Sequence, residues 1–205
     1  MKVWKYFLIA LVVIIIDQAV KLLVHFNMEM GPMGEIHLIS DVFKLHYTLN
    51  EGMAFGITLG FEYGKLLLTL FRLFAVGLIG YYIIYLYKNG AQKGLLICAG
   101  MIMGGALGNV IDSLFYGVFL DNAPYDAPMI WFNGQVIDMF YLDIYEGYMP
   151  DWIPLIGGDW MSLWPIFNIA DAAIFAAVTW IIIKQKSYFP AEDEKSTSES
   201  ENVPS

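Results

Sequence analysis

The chain has 205 residues, 58% of them hydrophobic and only 15% charged, which is too apolar for an ordinary soluble domain and points to an integral membrane protein. Its formal net charge of −9 argues against nucleic acid as a partner.

Lys2 and Lys5 precede the first apolar stretch, WKYFLIALVVIIIDQAVKLLV, near residues 4–24. No small-x-small cleavage site follows it, and Asp17 and Lys21 sit toward its end, so an uncleaved helix is expected rather than a secretory signal. In HLISDVFKLHYTLNEGMAFGI, Phe43, Leu45, Tyr47 and Leu49 alternate with Lys44, His46, Thr48 and Asn50. That is the period of a strand with one wet face, and it predicts a small outer β-element near 36–57. Three further apolar stretches follow, near 66–86, 94–115 and 165–184. Each of the four has about 20 residues, the length that crosses a hydrocarbon core roughly 30 Å thick.

Lys88 and Lys93 flank the short link between the second and third stretches, and Lys184 and Lys186 close the fourth. The segment from Val118 to Pro165 holds seven acidic residues and no Lys, Arg or His. Basic flanks mark the cytoplasmic side, so both termini are expected inside and loop 118–165 outside. Within that loop, LDNAPYDAP and GYMPDWIPLIGGDW are rich in Pro, Gly and Trp and are read as loops at headgroup level. The expectation is a mainly α integral membrane protein. It has four transmembrane helices and a small extracytoplasmic β-sheet between helices 1 and 2. Residues 1–186 form one membrane-embedded domain, and the polar, acidic segment 187–205 is a disordered cytoplasmic tail.

Polar pairs interrupt three of the helices. Asp17 and Lys21, Asn109 and Asp112, and Asn168 and Asp171 are each three or four residues apart and so share a face. With the orientation above, all three pairs fall toward the outer side and are expected to converge. A buried ionisable group in a membrane is costly and is usually paired or employed. The plain alternative for Asp17, Lys21 and Asn109 is a structural ion pair and interhelical hydrogen bonding. It is weaker for Asp171, which has no Lys or Arg within the preceding helical turn. The spacing Gly104-x-x-x-Gly108 suits close helix packing.

Cys98 has no histidine at its level, and His25, His37 and His46 show no metal-ligand spacing, so thiol, Ser/His and metal chemistry find no support. Carboxylates remain. Two aspartates held close share a proton; one then activates water while the other protonates the departing group, with no cofactor needed.

DQAVK at 17–21, NEGMAFG at 50–56, GGALGNVID at 104–112, VIDMF at 136–140 and FNIAD at 167–171 resemble, in order, the motif set of the lipoprotein signal peptidase (signal peptidase II) family. The resemblance implies an aspartyl endopeptidase of the bacterial inner membrane with four helices and a β-cradle. Such an enzyme removes the signal peptide of prolipoproteins just before a diacylglyceryl-modified cysteine, at the extracytoplasmic face, as a monomer among membrane lipids, and is inhibited by globomycin. By position, Asp171 is one catalytic aspartate, while Asp17, Lys21, Asn50, Gly56, Asn109, Asp112 and Asn168 shape the site.

Two positions depart from the family pattern. Ser113 stands where the family has Arg after the aspartate of Gly-Asn-x-x-Asp, leaving Asp112 without a local charge partner unless Arg72 of helix 2 serves. The second catalytic aspartate is Asp121 when counted without a gap and Asp138 when an insertion is allowed. The apolar frame of QVIDMFY favours Asp138, since NAP after Asp121 reads as a turn. The alternative from another class, a small proton- or ion-coupled transporter working through intramembrane aspartates, would show related halves and broken helices, which are not found in the sequence.

Overall fold

The first apolar stretch forms α1 (Trp4–Asn27), and the second forms α2 (Gly64–Lys88). The structure, a computed structural model, describes residues 2–52, 63–153, 157–158, 160–162 and 164–190. Gly56 and positions 53–57 of the expected β-element lie outside the described residues. Leu8, Leu11 and Ile15 of α1 and Leu67, Phe71 and Phe74 of α2 are exposed, whereas Asp17 and Lys21 are fully buried. Apolar side chains outside and ionisable ones inside suit a chain whose solvent is lipid.

The third stretch forms α3 (Lys93–Ile111), continues through a π-helical turn (Asp112–Tyr116) and ends in α4 (Gly117–Phe119). Helix α3 is central, packing on α1, α2 and α5 (Ile169–Ile183). Glycines make this possible. A Cβ on Gly104 would meet the Ala10 carbonyl oxygen at 2.7 Å, and one on Gly105 the Ala170 carbonyl oxygen at 2.4 Å. The backbones touch where any side chain would separate them.

Among the described residues, three helices are long and apolar enough to span a membrane: Trp4–Asn27, Gly64–Lys88 and Lys93–Phe119. The fourth stretch differs from expectation, because α5 has only 15 residues. Residues before it are drawn out of the helix: Phe167 bridges Phe140 antiparallel, and Asn168 takes an extended backbone as the N-cap. After α5, a short α6 (Gln185–Tyr188) folds back. Trp180 Nε1 donates to Tyr188 Oη at 3.0 Å, and Ser187 Oγ donates to Gln92 Oε1 at 3.3 Å. Ser187 and Tyr188 thus bond to Gln92 and Trp180, and residues 191–205 lie outside the described residues.

The sheet corrects a second expectation. Strands β1 (Ile36–Ile39) and β2 (Phe43–Asn50) are joined by β3 (Val136–Leu142), all antiparallel in the order β1-β2-β3. The third strand comes from the segment read as outer loop. Val136, Ile137, Asp138 and Met139 are all buried, so VIDM lacks the alternation that betrays a one-sided strand. A further pair, β4 (Glu146–Tyr148) and β5 (Trp160–Ser162), lies beyond it. Val24 of α1, Tyr47 of β2, Tyr116, Ile137 and Met139 form one apolar cluster that fastens the sheet to the helices.

Candidate active site

Three elements present the polar pairs to one another. Lys21 Nζ meets Asp17 Oδ2 at 2.8 Å one turn back on α1 and Asp112 Oδ2 at 2.7 Å across the helix interface. It also donates to Asn109 Oδ1 at 2.9 Å. All three charges are fully buried, and each gains further support. Ala170 N, in the first turn of α5, donates to Asp17 Oδ1 at 2.9 Å, and Gln18 Nε2 donates to Asp112 Oδ1 at 2.8 Å. Buried charges persist when paired and hydrogen-bonded in this way; removing one partner typically costs about 3–5 kcal/mol.

The start of α5 explains FNIAD locally. Asn168 Oδ1 accepts from Asp171 N at 3.0 Å, and Asp171 Oδ2 accepts from Asn168 N at 3.3 Å, a reciprocal capping box. The cap uses only part of each side chain. Asn168 Nδ2 donates to Asp138 Oδ1 at 2.6 Å and to Asn109 Oδ1 at 3.1 Å, while Asn109 Nδ2 donates to Asp171 Oδ1 at 2.9 Å.

Asp138 arrives from β3. It pairs in register with Thr48, and the neighbouring backbone is tied to the approach of α5, with Phe140 N donating to Phe167 O at 2.8 Å and Phe167 N to Phe140 O at 3.0 Å. Asn50, at the end of β2, donates from Nδ2 to Asp138 Oδ2 at 3.0 Å. Burial and, next, the charge of Asp171 push the Asp138 carboxyl up from 3.8 to about 7, against the hydrogen bonds from Asn50 and Asn168 that favour its charged form.

Asp17, Lys21, Asn50, Asn109, Asp112, Asn168, Asp138 and Asp171 therefore form one connected network. Asp121 stands apart, exposed, with a left-handed backbone at φ +51°. Ser113 closes on its own helix, Oγ donating to Asn109 O at 3.1 Å. Asp112 is not short of a charge partner, as expected from Ser113, because Lys21 of α1 supplies it; Arg72 also interacts electrostatically with Asp171, Asp112 and Asp138. Two members were missed. Gln18 bridges Asp17 and Asp112, and Tyr116 Oη donates to Gln18 Oε1 at 2.9 Å. A glutamine inside an apolar helix was the available signal for the first. Tyr116 carried none, since the π-turn that aims it is not legible in sequence.

An apolar groove of about 750 Å³ opens beside Asp171. Leu142, Trp164 and Phe167 line one end, and Ile174, Phe175 and Val178 continue it along α5. A partly buried carboxylate at the head of an apolar groove, linked through Asn168 to a second carboxyl poised near neutrality, suits proton exchange with a bound amide. Among the described residues, no group of three or more His, Cys, Asp or Glu side chains is arranged to hold a metal ion.

A family model described as Signal peptidase (SPase) II matches residues 9–186. The chain is 52% identical over 187 residues to a lipoprotein signal peptidase of Amoebophilus asiaticus, covering 91% of this chain and 79% of that one. It is 34% identical over 181 residues to a lipoprotein signal peptidase of Porphyromonas gingivalis, covering 83% and 77%. Among solved structures it resembles one described as a bacterial membrane enzyme structure by the in meso method at 2.3 Å resolution. That likeness has a TM-score of 0.58 at 25% identity and covers 92% of each chain. Nothing in these likenesses supports a transporter.

Proposed function

The chain belongs to the signal peptidase II family, and from that premise we propose that Asp138 and Asp171 are the two catalytic carboxylates of this peptidase. It is a protease of the bacterial inner membrane that removes signal peptides from prolipoproteins. The observation that carries the assignment of the pair is Asn168, whose Nδ2 donates to Asp138 while its Oδ1 accepts from Asp171 N.

In the proposed reaction Asp171, ionised and held by the Asn109 amide, takes a proton from water. The water oxygen adds to the scissile carbonyl carbon, and Asp138 gives its proton to the carbonyl oxygen. On collapse, Asp171 returns its proton to the departing amine nitrogen and Asp138 recovers one from the diol. The pair ends as it began, with one proton shared between two sites. Asp17, Lys21, Asp112, Asn109 and Asn50 shape the site around this pair. The groove beside Asp171 takes the chain at the diacylglyceryl-modified cysteine, and cleavage falls just before that residue. Surrounding lipid and globomycin-type inhibitors meet the same region, and the enzyme acts as a monomer.

In the same reading α5 is a fourth span, shortened at its outer end where Phe167 and Asn168 enter the site. Both termini lie in the cytoplasm, and the sheet and the carboxylates lie at the extracytoplasmic face, as the lysine flanks indicate. Residues 187–205 contribute nothing to the chemistry.

The test is cleavage of a diacylglyceryl prolipopeptide by purified protein. Asp138→Asn and Asp171→Asn are expected to lower kcat by roughly three or more orders of magnitude with peptide binding retained, while Asp121→Asn stays near wild type. Loss in Asp121→Asn with turnover kept in Asp138→Asn would move the partner of Asp171 to Asp121.

A further inference from the structure

One face of α2 reaches the outer segments. Lys65, Thr69 and Arg72 follow at spacings of four and three, which sets them on one side of the helix. Each donates to a backbone carbonyl. Lys65 Nζ donates to Glu51 O at 2.8 Å, Thr69 Oγ1 to Phe132 O at 2.9 Å, and Arg72 Nη2 to Gly52 O. Two of these carbonyls belong to the residues directly after Asn50.

Asn50 is oriented by the peptide that joins these two residues. Its Oδ1 accepts from Gly52 N at 2.7 Å, and this fixes which way its amide faces, so that Nδ2 donates to Asp138 Oδ2 at 3.0 Å. Gly52 adopts φ +99°, and a Cβ there would lie 2.5 Å from Arg72 Nη1. The guanidinium therefore rests directly against Gly52, on its Cα and its carbonyl. Arg72 is also the single arginine of the chain, and a guanidinium is the cation best suited to partial burial because it is weakly hydrated and keeps its charge.

We infer that Arg72 is a positioning residue for this peptidase: by holding the Gly52 carbonyl it fixes the residue whose N–H sets the Asn50 amide that donates to Asp138. This rests on the reading of Asp138 as catalytic. Lys65 holds the Glu51 carbonyl, which shares a peptide plane with the Gly52 N–H, and steadies the same turn.

The experiment is a double-mutant cycle on purified protein with a diacylglyceryl prolipopeptide, using Arg72→Gln, Asn50→Ala and the pair. Arg72→Gln is expected to lower kcat about tenfold to a hundredfold, as a misplaced site group does, and to leave KM within about twofold. Arg72→Lys, which keeps a cationic donor, should recover most of the loss. The double variant should fall no further than Asn50→Ala alone, since one residue acts through the other. A double loss equal to the product of the singles, or an unchanged kcat in Arg72→Gln, overturns the inference. Should Arg72→Gln fail to fold, Gly52→Ala probes the same contact from the other side; its expected result is a similar kcat loss that Asn50→Ala masks, and full turnover refutes the inference. Asp138→Asn and Asp171→Asn are assayed alongside. If they stay active, the carboxylate assignment itself fails; if they are dead while Arg72→Gln is fully active, only the role of Arg72 fails.

Discussion

Asp138 carries the sharpest consequence at the scale of single residues. Its carboxyl, 1% exposed, is moved from 3.8 to about 7 by burial and by Asp171. Folding therefore favours its protonated form. The sign follows: this contribution to stability is complete below pH 3.8 and is lost as pH rises to about 7, by up to about 4 kcal/mol. Asp138→Asn has no proton to lose. Thermal unfolding in detergent should show wild-type stability declining from pH 4 to pH 8 relative to Asp138→Asn, with the two curves parallel at higher pH. Groups that titrate in the opposite sense, such as Glu35, whose carboxyl is held down by the His46 hydrogen bond, are common to both proteins and cancel. A constant difference across pH 4 to 8 would show that Asp138 does not titrate as described.

Among the elements, α3 does the most to bring the site together, and it does so by lacking side chains. Gly104 lets the backbone of α1 approach, Gly105 does the same for α5, and a Cβ on Gly108 would collide with Asp17 Oδ2 at 2.6 Å. Gly104→Val must displace the Ala10 carbonyl and Val13, a strain of about 1–3 kcal/mol. It should lower both the unfolding temperature and kcat, because α1 carries Lys21 into the network. The contrasting substitution is Gly77→Ala on α2, where nothing lies within 4 Å of the added Cβ. Removing a helix-interior glycine there should leave activity intact and raise stability by up to about 1 kcal/mol. Equal behaviour of the two variants in thermal unfolding and turnover would mean the helix contacts are not as close as described.

At the scale of the whole molecule, the proposed orientation can be checked without touching the site. Asp151 is exposed in the segment between β4 and β5, and Cys98 is buried. A thiol in Asp151→Cys should react with a membrane-impermeant maleimide added to spheroplasts, whereas the buried native thiol gives little background. Labelling only after the membrane is broken would reverse the topology and remove the active site from the extracytoplasmic face.

Much of this protein is written locally in its chain. Apolar runs of spanning length need no tertiary context to be recognised, because the bilayer selects on length and hydropathy alone. Asp17 and Lys21 announce an ion pair, since a helix puts residues three and four apart side by side whatever surrounds it, whereas the capping box of Asn168 and Asp171 exists only because Asn168 leaves the helix. The ordered motifs likewise marked the family before any fold was known. Other features were decided only by tertiary structure. Strand β3 forms because β2 and Phe167 offer it backbone partners, and a strand buried on both faces leaves no period of two to read. The short start of α5 follows from that same bridge, which pulls Phe167 and Asn168 out of the helix. Lys21 becomes the partner of Asp112 only because glycines let α1 and α3 touch, and Arg72 reaches Gly52 only when α2 is set beside the end of β2. These are contacts between residues 20 to 91 positions apart, and sequence spacing constrains such distances only through the packing that the folded chain finally adopts.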